Sequence, residues 1–223
     1  MRFSPDYNIP VDMRSLFIKA KDYGPGDVTS YSKSWISFKQ GFSYGGYFKW
    51  KKKGDKRILN WKKSTLTDYT QGYFRAYDFH IPGKKYLKAV KKNDGEKLRQ
   101  LALAGDDYIT GSRGNDVLVG EAGNDHIEGG NGDLLIGGPG ADIFDVQNST
   151  IADFNPAEGD LIRQIFVGRE HDPLITPVEG GIQVQLPGST STINGIQDPV
   201  RYYSPFVLQG HNSFDWSWVE VLS

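Results

Sequence analysis

Large apolar residues recur every eight or nine residues in the middle of the chain. They stand at Ile109, Leu118, Ile127, Leu135 and Phe144, and glycine-rich segments separate them. Each unit therefore consists of a turn followed by a short strand. Because side chains alternate across a strand, the central apolar residue of each run is predicted to point inward and its neighbours outward.

The repeating unit is a nonapeptide: glycine, glycine, any residue, glycine, any residue, aspartate, any residue, large apolar residue, any residue. Four copies span 111–145, and a degenerate copy spans 104–110. Two nonapeptides are predicted to form one coil, so that turns on the same side recur every second copy. This periodicity predicts a parallel β-roll. The copy that contains Asp133 is one residue short, and the gap is placed before that aspartate so that Leu135 keeps its inward position.

The coil geometry predicts which aspartates stack. Asp107, Asp125 and Asp142 fall on one side of the roll, and Asp116 and Asp133 fall on the other. Glycines bring turn carbonyls close together, and the aspartates add charged oxygens. Such hard oxygen ligands suit Ca²⁺. We expect two or three calcium sites between stacked turns, with Asp125 central and the site at Asp133 weaker because its repeat is short.

The flanking regions are predicted to cap the roll. Residues 31–80 alternate aromatic and polar positions as strands do, and 84–103 change to a helical period with Asp94 as an N-cap. Residues 1–30 are polar and are interpreted as an extended lead-in. The expected fold is mainly β, a right-handed parallel β-roll with a β-rich, helical N-terminal cap and a β C-terminal cap. The expected domains are 1–103, 104–145 and 146–223.

Composition narrows the class of protein. The chain has 223 residues, 38% hydrophobic residues and no cysteine, which excludes disulfides and thiolate metal sites. The net charge of −1 conceals an asymmetry, since 1–100 holds 22 basic and 9 acidic residues and 101–223 holds 4 and 18. The sequence contains no run of 18 apolar residues, and no membrane span is predicted. The first residues also lack the apolar stretch of a cleavable signal peptide.

Residues 102–162 resemble the RTX family, the hemolysin-type calcium-binding repeat proteins. The resemblance rests on the repeat array and on segment 140–160, which is similar to the end of the roll in serralysin-type proteases. It implies that the repeat aspartates and turn carbonyls bind calcium, with Asp160, or Asp153, as a further ligand. The expected carbonyl ligands are Ala104, Gly105, Gly111, Arg113, Gly114, Gly120, Ala122, Gly123, Gly129, Asn131, Gly132, Gly138 and Gly140.

The resemblance also implies export by a type I secretion apparatus of a Gram-negative bacterium, through an uncleaved C-terminal signal within 146–223. Cytosolic calcium lies far below the roughly 10⁻⁴–10⁻³ M dissociation constants of extracellular modules. The chain is therefore expected to fold outside the cell when it binds calcium. Expected partners are calcium ions and the secretion apparatus, with an acidic polysaccharide or cell surface as a further candidate. Neither nucleic acid nor a membrane span is expected.

The sequence does not favour catalysis. It lacks the His-Glu-x-x-His motif of zinc proteases. Residues 41–45 match G-x-S-x-G around Ser43, but that motif requires a strand, a sharp turn and a helix in a large α/β sheet. The four histidines show no ligand spacing, and His126 is expected to be a solvated surface residue. We therefore expect that the protein is not an enzyme. One alternative is a small secreted hydrolase that uses Ser43, and another is a fragment of a larger toxin or adhesin.

Basic residues cluster around Trp50 and Trp61 in the N-terminal half. This cluster indicates either a solvated surface or a site for a polyanion such as an acidic polysaccharide or lipopolysaccharide. The favoured function is a non-catalytic, secreted calcium-binding protein with a structural or adhesive role. The basic residues are Lys49, Lys51, Lys52, Lys53, Lys56, Arg57, Lys62 and Lys63.

Overall fold

The chain forms two compact units. One comprises 1–4 and 14–104, and the other comprises 5–13 and 105–223. The structure is a computed structural model, and it describes residues 2–5, 8–17, 20–39, 43–54, 56–71, 74–77, 79–165, 174–186, 188–195, 205–207 and 213–216. No helix in these ranges is long and apolar enough to cross a membrane.

The first unit is an antiparallel sheet with two helices. Its strands are β1 (Arg2–Pro5), β2 (Val28–Tyr31), β3 (Trp35–Phe38), β4 (Ser43–Tyr47), β5 (Trp50–Lys53), β6 (Lys56–Leu59), β7 (Thr65–Gln71), β8 (Phe74–Tyr77) and β9 (Ile81–Pro82). The helices are α1 (Gly83–Lys92) and α2 (Gly95–Ala102). Short 3-10 helices lie at Met13–Ser15, Ala20–Tyr23, Pro25–Asp27 and Trp61–Lys63.

Aromatic packing fills the core of this unit. The sheet runs in the order β2-β3-β4-β7-β8-β1, while β5 and β6 form a separate hairpin. Tyr44 on β4 and Tyr86 on α1 are both fully buried, with ring centroids 5.9 Å apart, and Trp61 stacks on Tyr86. The predicted strands and helices of this region are confirmed. The carboxylate of Asp94 accepts the Lys97 N–H at 2.9 Å, so the predicted N-cap is confirmed too.

The second unit contains the repeats. Its first strands are β10 (Tyr108–Thr110), β11 (Val117–Val119), β12 (His126–Glu128), β13 (Leu134–Ile136), β14 (Ile143–Asp145), β15 (Thr150–Ile151) and β16 (Leu161–Ile165). The remaining strands are β17 (Leu174–Val178), β18 (Gly181–Leu186), β19 (Ser189–Asn194), β20 (Pro205–Val207) and β21 (Ser213–Trp216).

Residues 108–162 coil into a parallel β-solenoid of about three turns. Strands β10, β12, β14 and β16 pair in parallel on one wall, and β11, β13 and β15 pair in parallel on the other. Register partners lie two repeats apart, which confirms the predicted coil. The inward residues are also confirmed, because all five predicted side chains are fully buried: Ile109, Leu118, Ile127, Leu135 and Phe144.

The N-terminal segment departs from prediction. Residues 1–30 were expected to be an extended lead-in, yet they include three 3-10 helices, and 5–13 belongs to the repeat unit. Val117 donates its N–H to the Val11 carbonyl at 2.8 Å, and Asp12 forms a parallel bridge with Val117. Met13 is fully buried beside them. The prediction failed because these apolar residues are isolated and show no period.

Antiparallel strands follow the last coil. On one wall β15 pairs in parallel with β19, after which β18 and β17 pair in antiparallel fashion. On the other wall β16 pairs in antiparallel fashion with β21, and β21 with β20. The parallel ladder therefore ends where hairpins begin. The end of the expected secretion signal, 217–223, lies outside the described residues.

Candidate metal centre

Each strand of the solenoid is preceded by a turn, and the residue just before the strand differs between the two sides. On one side of the solenoid, aspartates precede β10, β12, β14 and β16, and we call it the four-aspartate side. On the opposite side, which we call the two-aspartate side, aspartates precede β11 and β13, while Ser149 precedes β15. The four-aspartate side comprises Asp107, Asp125, Asp142 and Asp160, and the two-aspartate side comprises Asp116 and Asp133.

The aspartates of each side are linked in a ladder of hydrogen bonds. The backbone N–H of Asp107 donates to Oδ1 of Asp125 at 2.8 Å, and that of Asp125 donates to Oδ1 of Asp142 at 2.8 Å. The N–H of Asp142 donates to Oδ1 of Asp160 at 2.9 Å, so Asp160 extends the predicted stack by one coil. On the other side the Asp116 N–H donates to Oδ1 of Asp133 at 2.8 Å.

The second carboxylate oxygens on the four-aspartate side are the chemically distinctive feature. Asp125 is 1% exposed and Asp142 is 0% exposed. Within the described residues, Oδ2 of each is buried and has no hydrogen-bond partner. Burying a carboxylate oxygen without a hydrogen-bond donor costs free energy, and a cation beside these two atoms would offset that cost.

Glycine makes room for these oxygens. A Cβ added at Gly120 would lie 2.2 Å from Oδ2 of Asp125 and 2.6 Å from the Gly137 carbonyl oxygen. A Cβ at Gly137 would lie 2.1 Å from Oδ2 of Asp142. Any larger residue would therefore fill the hollow that the carboxylate and carbonyl oxygens border. Oxygens of these two kinds form the donor set that calcium prefers.

The two-aspartate side satisfies its own oxygens. Oδ2 of Asp116 accepts the Ser112 N–H, and its Oδ1 accepts the Ser112 hydroxyl at 3.0 Å and the Val11 N–H at 2.6 Å. Oδ2 of Asp133 accepts the Gly130 N–H at 2.7 Å. A Cβ at Gly111 would still lie within 3.0 Å of both Oδ2 atoms, so the two carboxylates face one small space.

Burial raises the pKa of several aspartates of the roll. Desolvation raises the pKa of Asp125 to about 7, and the neighbouring carboxylates of Asp107 and Asp142 add to the shift. Desolvation likewise raises the pKa of Asp142 to about 7, with Asp160 and Asp153 contributing repulsion. Burial also raises the pKa of Asp107, Asp133 and Asp160 above the ordinary aspartate value. A bound cation would favour the ionised form at each of these groups.

The turn residues predicted as carbonyl ligands divide between the two sides. Stacking of the turns is visible in the Ala122 carbonyl, which accepts the Gly105 N–H at 2.7 Å. Arg113 and Asn131 are exposed in their turns. The four-aspartate side holds Ala104, Gly105, Gly120, Ala122, Gly123, Gly138 and Gly140. The two-aspartate side holds Gly111, Arg113, Gly114, Gly129, Asn131 and Gly132.

Two residues of the site were missed or left uncertain by sequence reasoning. Gly137 was not among the predicted ligands, although it is the first glycine of its repeat, as Gly111 and Gly120 are of theirs. Asp153 accepts the Gly137 N–H at 3.0 Å and the Gly138 N–H at 2.9 Å, and so fastens this turn to the next coil. The repeat register could have identified Gly137. Asp153 lies outside that register.

Ser43 does not stand in the setting that the hydrolase alternative requires. It begins β4, and strand residues follow it where a nucleophile elbow would have a helix. Its hydroxyl lies 2.8 Å from that of Ser37 on the paired strand. The expectation for His126 is wrong, because this residue is partly buried and its Nε2 lies 2.7 Å from Oδ2 of Asp145. Sequence reasoning overlooked the pair because the two residues lie one coil apart.

Comparison with known proteins identifies the repeats. Residues 102–133 match the RTX calcium-binding nonapeptide repeat, in four copies. The chain thus carries RTX repeats, as predicted. No curated protein matches the chain, and no solved structure matches it.

Proposed function

We propose that the roll binds calcium ions chiefly on the four-aspartate side. The observation that carries this proposal is the pair of buried carboxylate oxygens, Oδ2 of Asp125 and Oδ2 of Asp142, which lack a hydrogen-bond partner in the described structure. The carboxylates of Asp107 and Asp160 and the Gly137 carbonyl would complete the oxygen donors. Calcium would supply the positive charge that these stacked, buried anions need.

A weaker site is proposed on the two-aspartate side. The carboxylates of Asp116 and Asp133 border one space there, but backbone N–H groups already satisfy them. A cation would compete with these donors. The predicted turn carbonyls on both sides remain proposed ligands.

The favoured role is that of a non-catalytic protein that is secreted and folds when it meets calcium outside the cell. RTX repeats support this proposal, as does the acidic balance of 101–223, which has 4 basic and 18 acidic residues. Self-repulsion among aspartates would oppose folding where calcium is scarce. Export by a type I apparatus and a structural or adhesive role at the cell surface follow as parts of the same proposal.

A calcium titration followed by circular dichroism tests the folding step. The expected result is a cooperative gain of β signal with calcium and not with magnesium. Asp125→Asn removes one ligand charge and should raise the required calcium concentration. Glu179→Gln is a matched control, since it removes one negative charge from an exposed residue outside the solenoid. Equal β signal in chelator and in calcium would contradict calcium-dependent folding.

One observation favours a second candidate function, the binding of an acidic polysaccharide by the first unit. Lys51, Lys52 and Lys53 are exposed on the β5–β6 hairpin. The ring of Trp50, at the start of the same hairpin, lies 4.6 Å from the ring of Tyr31, which is 56% exposed. Aromatic faces beside cations can stack on sugar rings and attract their carboxylates.

Retention on a heparin or alginate column tests this second function. Changing Lys51, Lys52 and Lys53 to Glu should abolish retention at moderate salt. Changing Lys84, Lys85 and Lys88 to Glu makes the same charge change on exposed positions of α1 and serves as the control. Equal loss in both variants would show that net charge alone causes retention, and no retention of the parent chain would refute the candidate.

A further inference from the structure

The outer face of the β10-β12-β14 wall carries a second cluster of metal-ligating side chains. Inward residues alternate with outward ones, so the residues flanking Ile109, Ile127 and Phe144 face away from the core. The parallel register aligns Thr110, Glu128 and Asp145 in one row and places Tyr108 beside His126 in the next. The coil therefore brings together side chains that are far apart in the sequence.

The aromatic residues of one row, Tyr108 and His126, form hydrogen bonds with the acidic residues of the other row. Nε2 of His126 lies 2.7 Å from Oδ2 of Asp145, and the Tyr108 hydroxyl donates to the carboxylate of Glu128. The rings of Tyr108 and His126 meet edge to face, with centroids 4.8 Å apart. Asp145 is nearly buried, its side chain only 5% exposed. These contacts hold the imidazole and both carboxylates in a defined arrangement.

We propose that His126, Glu128 and Asp145 bind a divalent transition metal, with zinc as the best fit. One ligand atom from each lies within 4.8 Å of the other two, and no other such trio occurs among the described residues. Zinc bonds of about 2.0–2.2 Å place tetrahedral ligands about 3.4 Å apart, so small side-chain rotations would suffice. The metal would take the place of the direct contact between Nε2 of His126 and Oδ2 of Asp145.

The donor set separates this site from the calcium sites. One imidazole nitrogen and two carboxylates suit zinc and its neighbours, whereas calcium prefers oxygen ligands alone. The ligands project from strands rather than from turns. A fourth position would be open to water or to a ligand from a partner.

Tyr108 acts as a positioning residue. Its hydroxyl hydrogen-bonds one oxygen of Glu128, which leaves the other oxygen to bind the metal. Outer partners of this kind fix ligand orientation, and their loss typically weakens binding about 10–100-fold. Tyr108→Phe should therefore weaken zinc binding and disturb the ligand geometry while the metal still binds.

The inference depends on the proposed function only in that the roll must be folded. The experiment uses the full chain in saturating calcium, stripped of transition metals, with circular dichroism to monitor folding. Zinc is titrated by calorimetry, and cobalt is titrated in parallel because its visible absorption reports imidazole and carboxylate coordination. The zinc titration is carried out on the folded chain, whether or not folding requires calcium. The proposal of zinc binding and the proposal of calcium-dependent folding can therefore fail separately.

We expect one zinc per chain. His126→Asn and Asp145→Asn should each weaken binding at least tenfold and abolish the tetrahedral cobalt spectrum, and Tyr108→Phe should weaken binding less and shift that spectrum. His80→Asn is the control, because His80 is exposed and lies in the first unit. The proposal is overturned if folded parent chain binds no zinc, or if His126→Asn binds it as the parent does.

Discussion

The two sides of the solenoid share one repeat sequence but treat their aspartates differently. On the two-aspartate side, donors from Val11, Ser112 and Gly130 occupy the carboxylate oxygens. On the four-aspartate side, Oδ2 of Asp125 and of Asp142 is buried without a donor in the described structure. The same motif therefore yields carboxylate oxygens that accept hydrogen bonds on one side and buried carboxylate oxygens without a donor on the other. The repeat consensus alone does not decide how the carboxylate of each turn is hydrogen-bonded.

Two glycine substitutions in the roll, one at a crowded position and one at an open position, give the largest expected contrast. A Cβ at Gly120 would collide with Asp125 Oδ2 at 2.2 Å, whereas at Gly130 the nearest atom is the Ser112 carbonyl oxygen at 3.5 Å. Gly120→Ala should lower the free energy of unfolding by about 3 kcal/mol in saturating calcium. Gly130→Ala should change it by less than about 1 kcal/mol. Urea denaturation measures both, and similar losses would show that the space beside Oδ2 of Asp125 does not require glycine at position 120.

Neutralising one aspartate on each side sharpens the comparison. Asp125→Asn removes the charge of a carboxylate whose Oδ2 accepts no hydrogen bond in the described structure. The substitution should raise the calcium midpoint roughly 100-fold, which corresponds to about 2.7 kcal/mol of binding free energy. Asp133→Asn removes the charge of a carboxylate that already accepts the Gly130 N–H. This change should raise the calcium midpoint less than about tenfold. Calcium titrations monitored by circular dichroism provide the midpoints. A larger effect at Asp133 would reverse the assignment of the stronger site.

Calcium binding should depend on pH near neutrality. The pKa of Asp125 and that of Asp142 are both about 7 in the calcium-free fold, and calcium binds only the ionised form. Between pH 6 and pH 8 the calcium affinity should rise roughly tenfold for each of these carboxylates, with release of protons. Calorimetry in two buffers of different ionisation enthalpy measures that release. A flat affinity profile over this interval would show that the carboxylates are already ionised.

The calcium-free chain should show the opposite trend. The folded-state pKa of Asp125 exceeds the ordinary value of 3.8, so the folded chain holds its proton more tightly than the unfolded chain. The contribution of this group to stability in chelator is then highest below about pH 4 and is lost as the pH rises through the folded-state pKa of about 7. Circular dichroism in chelator across this range checks the direction, because any calcium-free fold should be most populated at low pH. For this group, stability that rises with pH would contradict the assigned burial.

The smallest expected effect comes from a donor on the two-aspartate side. Ser112→Ala removes the hydroxyl that donates to Oδ1 of Asp116 at 3.0 Å. The folded chain should lose about 1 kcal/mol of its free energy of unfolding, measured by urea denaturation in saturating calcium. Ser30→Ala, at an exposed position of β2, is the control. Equal effects of the two changes would mean that the Ser112 hydroxyl does not stabilise Asp116.

The sequence predicted the repeating part of the fold well and the difference between its sides poorly. The inward positions, such as Ile127, and the stacking of Asp107, Asp125 and Asp142 follow from a strict period. Which oxygen accepts which N–H depends on turn conformation, as at Ser112, and composition does not reveal it. Pairing of Val11 with the roll was unpredictable because a lone strand carries no period.

Locating the bound ions tests the central claim most directly. Crystals of the full chain grown with terbium in place of calcium would show each ion by its anomalous scattering. We expect the strongest peaks beside Oδ2 of Asp125 and Oδ2 of Asp142, with a weaker peak between Asp116 and Asp133. Peaks confined to the two-aspartate side, or none in the roll, would contradict the assignment of calcium binding to the four-aspartate side.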